Sequence, residues 1–256
     1  MKHNRLTFAL YAGVSLALGV PSYAATTFQD TLLDQDFNNA GNWSNGLPGA
    51  NDVEAATIES GKIADLTANY QMTNNSSTPV VAIIVDGTLN TKGFELQLRS
   101  GGVGRTSDLI VNGVLNVGTG GRIDIAGGSA DLIVNNGGLA SFVDGSNFQA
   151  SKATDLQGIL EFTGDVNFAS NIGDELQLRN DSLVRFNVAA DDSFTTVTGS
   201  GNSGNQMRFG STSDIEVNFA ATPLLGASYL LFDGFGSFTN YNNTETGSAL
   251  YHFDDV

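Results

Sequence analysis

The segment Asp108-Leu-Ile-Val-Asn112 returns unchanged as Asp131-Leu-Ile-Val-Asn135, 23 residues later in the chain. Each copy precedes a glycine-containing turn and a short apolar run such as Gly113-Val-Leu-Asn-Val117. One aliphatic residue anchors each run, and the intervals between anchors are 26, 24, 21, 23 and 32 residues: Leu89, Leu115, Leu139, Leu160, Leu183 and Ile215. A recurrence of this length predicts a solenoid, in which stacked copies of one small unit share a continuous core.

Within each repeat, apolar and polar residues alternate, as in Leu96-Gln-Leu98 and Ile123-Asp-Ile125. This period of two is typical of strands that bury one face. The sequence therefore predicts an all-β fold, a single-stranded parallel β-helix of roughly 8 to 10 coils with atypical N- and C-terminal caps. The alternative, an antiparallel sandwich, would show closely spaced turns without recurring pentapeptides. The residues expected to stack inward are Leu109, Val111, Leu132, Val134, Leu176 and Leu178.

The first 24 residues have the organisation of a secretory signal peptide. Lys2 and Arg5 precede an apolar run from Leu6 to Val20, and Pro21-Ser-Tyr-Ala24 provides a small-residue cleavage site. We therefore expect residues 1–24 to be removed on export.

The remainder is expected to divide into three parts. Residues 25–75 form an N-terminal cap region, residues 76–221 the β-helix repeats, and residues 222–256 a C-terminal aromatic cap. A solenoid needs atypical end units because its first and last coils would otherwise expose core and backbone. The aromatic residues Trp43, Tyr229 and Phe232 are expected to be buried in these caps.

The charge balance restricts the partners of the chain. It holds 27 acidic and 11 basic residues, a formal charge of −16, and removal of Lys2 and Arg5 with the signal peptide makes this −18. Such a surface repels phosphate backbones and anionic membranes, so we expect no nucleic acid partner. No later apolar run reaches the length that spans a bilayer, so no transmembrane segment is expected after signal removal. The predicted location is secreted, extracellular or at the cell surface, with the periplasm as the alternative.

Two segments carry a family resemblance. Asn42-Trp43-Ser-Asn-Gly46-Leu-Pro48 and the following run to Ile58 resemble the opening of many bacterial surface and autotransporter-like β-helix proteins. Leu225-Gly-Ala-Ser-Tyr229-Leu-Leu-Phe232 resembles a closing element of the same broad group, which includes proteins sorted by a Pro-Glu-Pro tag that this sequence does not contain. The resemblance implies a secreted or surface-exposed parallel β-helix and specifies no activity.

Catalytic residues cannot be assigned from the sequence. The two histidines, His3 and His252, lie in the signal peptide and near the end of the chain, which argues against a hydrolytic triad. Arg99 and Arg179 each follow a copy of Glu-Leu-Gln-Leu and are interpreted as solubilising strand ends about three coils apart in one stack. We therefore predict no catalytic or cofactor-binding residue, and the metal-binding and ligand-binding residues are unknown.

Calcium is the one cofactor for which the sequence offers a weak pattern. Asp34-Gln-Asp36-Phe-Asn38 alternates like the start of an EF-hand loop, but Asn39 and Asn45 stand where glycine and glutamate belong. We therefore predict no cofactor and keep calcium as the alternative.

These observations favour an exported, non-catalytic β-helical protein of the cell surface or extracellular matrix, acting in adhesion, assembly or glycan contact. Its expected partners are a polysaccharide or cell-surface component and further copies of itself, joined end to end. A polysaccharide lyase or glycoside hydrolase on the same scaffold is the alternative, because parallel β-helices also carry such enzymes. A third interpretation is that the chain is the N-terminal part of a longer passenger.

Overall fold

A computed structural model describes residues 25–49, 55–74, 80–100, 106–126, 131–150, 154–168, 175–178, 182–189, 195–199, 206–209, 213–222, 228–233, 237–240, 244–245 and 250–252. Apart from one 3-10 turn, Ala40–Asn42, the regular structure of these residues is β-strand.

The strands are short, mostly of three to six residues. The first ten are β1 (Thr26–Phe28), β2 (Ala55–Ile58), β3 (Ile63–Asp65), β4 (Tyr70–Asn74), β5 (Val80–Val85), β6 (Thr88–Asn90), β7 (Glu95–Ser100), β8 (Thr106–Val111), β9 (Val114–Val117) and β10 (Arg122–Ala126). The next eleven are β11 (Leu132–Val134), β12 (Leu139–Val143), β13 (Asn147–Ala150), β14 (Thr154–Leu156), β15 (Ile159–Thr163), β16 (Val166–Phe168), β17 (Glu175–Leu178), β18 (Leu183–Val188), β19 (Val197–Gly199), β20 (Gln206–Phe209) and β21 (Asp214–Phe219). The last five are β22 (Ser228–Leu230), β23 (Phe232–Asp233), β24 (Ser237–Asn240), β25 (Thr244–Glu245) and β26 (Leu250–His252).

Three sheets hold nearly all of these strands. Sheet 1 has the order β1-β2-β5-β8-β11-β14-β17-β20-β24-β25, sheet 2 the order β3-β6-β9-β12-β15-β18-β21, and sheet 3 the order β4-β7-β10-β13-β16-β19-β23. The chain visits sheets 1, 2 and 3 in turn, and one such circuit is called a pass below. The described residues contain seven passes with a strand in every sheet, against the roughly eight to ten coils expected.

Strand pairing within the three sheets is parallel up to the last pair, β24 with β25, which is antiparallel. The fold is therefore all-β with three parallel sheets, compatible with a parallel β-solenoid. The antiparallel sandwich considered from the sequence is wrong. Consecutive strands of one sheet are separated in sequence by a whole pass, so they cannot be joined by hairpins.

The recurring pentapeptides pair as predicted. Leu132 lies opposite Leu109 and Val134 opposite Val111 in the parallel pair β8–β11, and all four side chains are fully buried. The backbones of Leu176 and Leu178 pair in register with β14 and β20. Their side chains lie outside the described part of the structure, so their predicted inward orientation stays a prediction.

Two of the sequence anchors are displaced by one residue. Ala140 lies opposite Leu115 and Leu160, whereas Leu139 lies opposite Val114 and is half-buried. In the same way Val184, and not Leu183, takes the inward position opposite Leu160. A shift of one residue moves a side chain to the other face of a sheet, so the inward position follows the pairing register and not the larger side chain.

The second pair of repeated pentapeptides does not share a stack. Glu95-Leu-Gln-Leu98 begins β7 in sheet 3, while Glu175-Leu-Gln-Leu178 is β17 in sheet 1. The interpretation that the two copies lie in one stack is therefore wrong, and Arg179 itself lies outside the described residues. Any alternating segment fits any of the three sheets, so the shared sequence does not fix which sheet it joins.

The N-terminal end of the core is covered by aromatic residues. The Trp43 ring lies edge-on to Phe28 and Phe37, with centroid separations of 5.2 and 5.0 Å, and its Nε1 donates to the Phe37 carbonyl at 2.8 Å. Trp43 is 4% exposed, so the expectation that it is buried is confirmed. Strand β1 extends sheet 1 beyond β2, and Asp36 bridges Asp65 at the edge of sheet 2.

Candidate functional site

The corner where sheet 2 turns into sheet 3 is built from stacked tight turns. Gly120, Gly145 and Gly164 adopt φ values of 73°, 72° and 79°, the left-handed region that favours glycine. A Cβ atom on Gly164 would lie 2.5 Å from Cβ of Asp144, one pass earlier. The turns can stack this closely only because glycine occupies that position.

A groove of about 980 Å³ runs along this corner. Its walls include one residue from each of five successive passes: Thr119, Asp144, Asp165, Asn187 and Ala220. Since adjacent parallel strands lie about 4.8 Å apart, these five passes extend the groove by roughly 19 Å along the stacking direction. This feature is called the corner groove below.

A smaller cavity of about 330 Å³ continues from the corner groove onto the outer face of sheet 3. Asp165 lines both cavities, and the smaller one is also bordered by Asn147, Asn167 and Thr198. Asn167 Nδ2 donates to Asn147 Oδ1 at 3.1 Å, so these two amides form a short ladder beside Asp165.

The two aspartates of the corner groove have different surroundings. Asp144 Oδ1 accepts the backbone N–H of Asp165 at 3.0 Å, so this carboxylate is part of the turn. The carboxylate of Asp165 is exposed and accepts no hydrogen bond from any residue that the structure describes. Asp165 therefore presents two acceptor oxygens to whatever occupies either cavity.

Two threonine hydroxyls of the corner groove are held by backbone groups. Thr195 Oγ1 donates to the Asn187 carbonyl at 2.6 Å and accepts the N–H of Gly164 at 3.0 Å. Thr196 Oγ1 donates to the Leu230 carbonyl at 2.9 Å. Since these hydroxyls are held by backbone groups, the wall does not need to rearrange when a ligand binds.

A second polar cluster lies on the outer face of sheet 3, around Asp124. Oδ2 of Asp124 accepts Nε2 of Gln97 at 2.9 Å and lies 3.3 and 3.6 Å from Nη2 of Arg122 and Arg99. Nε of Arg122 lies 3.4 Å from Oε1 of Glu95, and Nη2 of the same arginine contacts Oε1 of Gln149. The Asp124 side chain is 4% exposed, whereas those of Arg99 and Arg122 are 45% and 38% exposed.

A third cluster joins three strands of sheet 2. Arg185 contacts Oε2 of Glu216 at 3.1 Å and Oε2 of Glu161 at 3.3 Å. The hydrogen bond to Glu216 is the main cause that raises the pKa of the Arg185 guanidinium above its ordinary value. Because this arginine pairs with a carboxylate on each neighbouring strand, it joins the strands of three successive passes.

The candidate calcium residues are used to build a loop. Asp34 Oδ1 accepts the N–H of Asp36 and Nδ2 of Asn42, and the bond to Asn42 is the main cause that lowers the pKa of Asp34. Asp36 Oδ1 accepts the N–H of Asn38 and the hydroxyl of Thr67. Across the described ranges, no three histidine, cysteine or carboxylate side chains are grouped as a metal site would require.

Among the other sequence candidates, those that the structure describes do not line the corner groove. Arg99 belongs to the Asp124 cluster, and Arg179 lies outside the described residues, as does His3. His252 pairs with Ser228 in the two-stranded sheet β22–β26. Tyr229 and Phe232 are buried, as expected. Asp144, Asp165, Arg122 and Asp124 were not predicted as site residues from the sequence.

Comparison of the chain with protein-family models, with curated proteins and with solved structures finds no match. In the part of the chain that the structure describes, no helix has the length and apolar character needed to cross a membrane.

Proposed function

We propose that this chain is an exported, non-catalytic protein of the cell surface or extracellular matrix that acts in adhesion or assembly by contacting a glycan in the corner groove. We take the three sheets as the walls of one single-stranded parallel β-helix with atypical units at both ends. The regular cycling of the chain through sheets 1, 2 and 3 supports that interpretation. A polymer lying along the stacking direction would contact side chains from several successive passes.

The observation that carries the proposal is the carboxylate of Asp165 at the junction of the two cavities. A carboxylate that accepts no hydrogen bond within the described residues is suited to the hydroxyl groups of a sugar. The Asn147–Asn167 amides supply further polar groups, while Val188 and Leu230 supply apolar surface. Mixed polar and apolar lining of this kind is typical of small-molecule and saccharide sites.

The test is binding of neutral hexasaccharides to the Asp165→Asn variant. Cellohexaose, xylohexaose and maltohexaose are titrated against the purified chain by calorimetry, and at least one of them is expected to bind. Asp165→Asn should weaken that binding about tenfold, because an amide replaces two charged acceptors by one neutral acceptor.

Asp214→Asn is the matched control. Asp214 is also an exposed aspartate, at the start of β21, and it does not line either cavity. Its replacement should leave the affinity within about twofold. Absence of binding by all three hexasaccharides, or equal loss in both variants, would overturn the proposal.

A glycoside hydrolase is the second candidate, favoured by the presence of two aspartates from adjacent passes in one groove. Retaining glycosidases use two carboxyl groups about 5 Å apart. Against this, both Asp144 and Asp165 are exposed to solvent, whereas the general acid of such enzymes is sheltered by apolar groups. Release of new reducing ends from the hexasaccharides, abolished by Asp165→Asn, would favour the hydrolase over the binding protein.

A further inference from the structure

The two guanidinium groups are the most exposed charges of the Asp124 cluster. The cluster contains two arginines and two acids and is formally neutral, but Asp124 is almost fully buried while the side chains of Arg99 and Arg122 are 45% and 38% exposed. Among the described residues, Glu95, at 30% exposure, pairs with Arg122. A ligand approaching this face therefore meets an exposed guanidinium at Arg99 and a guanidinium already paired with Glu95 at Arg122.

The Arg99 guanidinium has donors that no described residue uses, whereas Arg122 already contacts Glu95, Asp124 and Gln149. Arg99 makes a single ion pair among the described residues, at 3.6 Å, which is longer than an ordinary hydrogen bond. Each guanidinium has five N–H donors in a planar fork that matches a carboxylate. Arg99 therefore keeps its hydrogen-bonding capacity for a ligand.

Asp124 holds the two arginines together and is itself incompletely paired. Three donors converge on Oδ2, whereas Oδ1 is buried without a hydrogen-bond partner in the described residues. An unpaired buried carboxylate oxygen lowers the stability of the folded chain. A contribution to stability therefore does not explain why Asp124 occupies this position. Because Oδ1 is buried, a ligand on this face contacts the guanidinium groups that Asp124 holds and not Asp124 itself.

The cluster is aligned with the smaller cavity. Glu95, Arg122, Asn147 and Asn167 are in register on consecutive strands of sheet 3, and the last two border that cavity. Arg122 therefore lies one strand spacing, about 4.8 Å, from Asn147. A polymer following the cavities along the stacking direction would reach Arg122 at the end nearer the N-terminus.

From this geometry we infer that Arg99 and Arg122 form a subsite for the carboxylate of a sugar acid, with Asp124 as the residue that positions both guanidinium groups. The inference that one glycan spans both this subsite and the corner groove rests on the proposed function. The subsite itself can be tested alone with monosaccharides. The glycan would thus carry at least one uronate residue among its sugars.

The experiment compares D-glucuronate with D-glucose by NMR titration of the purified chain. D-Glucuronate should bind at least about tenfold more tightly than D-glucose, and Arg99→Gln should remove that difference. Arg185→Gln is the matched control, because it removes a guanidinium from sheet 2 and should leave glucuronate binding unchanged. Circular dichroism melting shows whether each variant is folded, and Arg122→Gln serves as a second variant.

Sulfate is included to separate recognition of a sugar acid from attraction of any anion. The inference is overturned if sulfate binds as tightly as glucuronate, or if glucuronate binds no better than glucose. It is also overturned if the Arg99→Gln variant binds glucuronate with unchanged affinity. Glucuronate binding without hexasaccharide binding would instead retain the subsite and reject the corner groove as a glycan site. The two failures are therefore distinguishable.

Discussion

At the residue scale, Tyr70 shows how packing at the N-terminal end depends on a half-buried polar group. Its ring lies 5.0 Å from that of Phe37, and its hydroxyl donates to the Pro48 carbonyl. Burial raises the pKa of the Tyr70 hydroxyl from 10.0 to about 12, because the phenolate would lose its hydration. The phenol must therefore remain neutral for this packing to persist.

The Tyr70→Phe variant tests this dependence. Below about pH 10 both folded and unfolded chains keep the proton, so the contribution of Tyr70 to stability is fully present. As pH rises toward 12, the unfolded chain ionises first and stability falls. At about pH 8, Tyr70→Phe should lower the free energy of unfolding by about 1 kcal/mol, because the hydrogen bond is lost. Between about pH 8 and about pH 11, the free energy of unfolding of the variant should fall less than that of the wild type, because the variant has no phenol to ionise. Urea unfolding at the two pH values measures both effects, and identical pH dependence in the two proteins would contradict the assignment.

At the element scale, the sequence predicts the positions of the strands well. It predicts less well which residues of each strand point into the core. Leu139 is larger and more apolar than Ala140, yet Ala140 occupies the inward site between Leu115 and Leu160. The next inward residue of the same strand, Phe142, stacks on Phe162 with a centroid separation of 5.9 Å. The large Phe142 ring beside the small Ala140 shows that core volume is shared along a strand, which no single position reveals.

Leu132→Asp tests the inward ladder of sheet 1. Leu132 is fully buried opposite Leu109, so an aspartate there would be an unpaired buried charge and should cost several kcal/mol. Ile133→Asp is the matched control, because the adjacent residue points to the other face and is half-buried. The Ile133→Asp substitution should lower the free energy of unfolding much less than Leu132→Asp. Thermal melting of the two variants makes the comparison, and equal destabilisation would show that the two faces of β11 are equally buried.

The candidate site was less predictable than the strands, for a physical reason that concerns turns. Asp144-Gly145 and Gly164-Asp165 are ordinary turn dipeptides, and an aspartate beside a left-handed glycine is equally suited to a turn without function. Only the stacking of successive turns places Asp165 between two cavities. The Asp124 cluster is likewise formed by register across β7, β10 and β13, which the spacing of the repeats does not define to a single residue.

At the scale of the whole molecule, the two ends of the described structure differ. At the N-terminal end β1 extends sheet 1, the Asp36–Asp65 bridge caps part of the edge of sheet 2, and the aromatic cluster around Trp43 covers the core, while β4 ends sheet 3. At the other end sheet 1 is terminated by the antiparallel pair β24–β25. Sheet 2, however, ends at β21, which pairs only with β18 among the described strands. The inward residues of β21 are incompletely covered, since Ile215 and Val217 are only half-buried.

This asymmetry changes the form of self-association that we expect. A head-to-tail filament requires a free edge at both ends, whereas pairing of β21 with β21 of a second copy joins two identical edges and closes as a dimer. The formal charge of −16 opposes that contact at low ionic strength. Salt screens the repulsion, because the Debye length falls from about 8 Å at 0.15 M to about 3 Å at 1 M. The chain should therefore be a monomer in dilute buffer and a dimer, without longer species, at high salt.

Asn218→Lys tests the edge that would form this dimer. Asn218 is exposed on β21, and its Nδ2 donates to Oδ1 of Asn187 at 3.4 Å. A lysine at this position therefore disfavours pairing of a second strand with β21 without entering the core. Asn116→Lys is the matched control, because Asn116 is an exposed ladder asparagine that donates to Asn90 from β9, inside the same sheet. Sedimentation velocity across a salt series should show a dimer for the wild type and for Asn116→Lys and a monomer for Asn218→Lys. A wild-type monomer at every salt concentration would mean that the β21 edge is closed in solution, and species larger than a dimer would mean that the N-terminal end also joins copies.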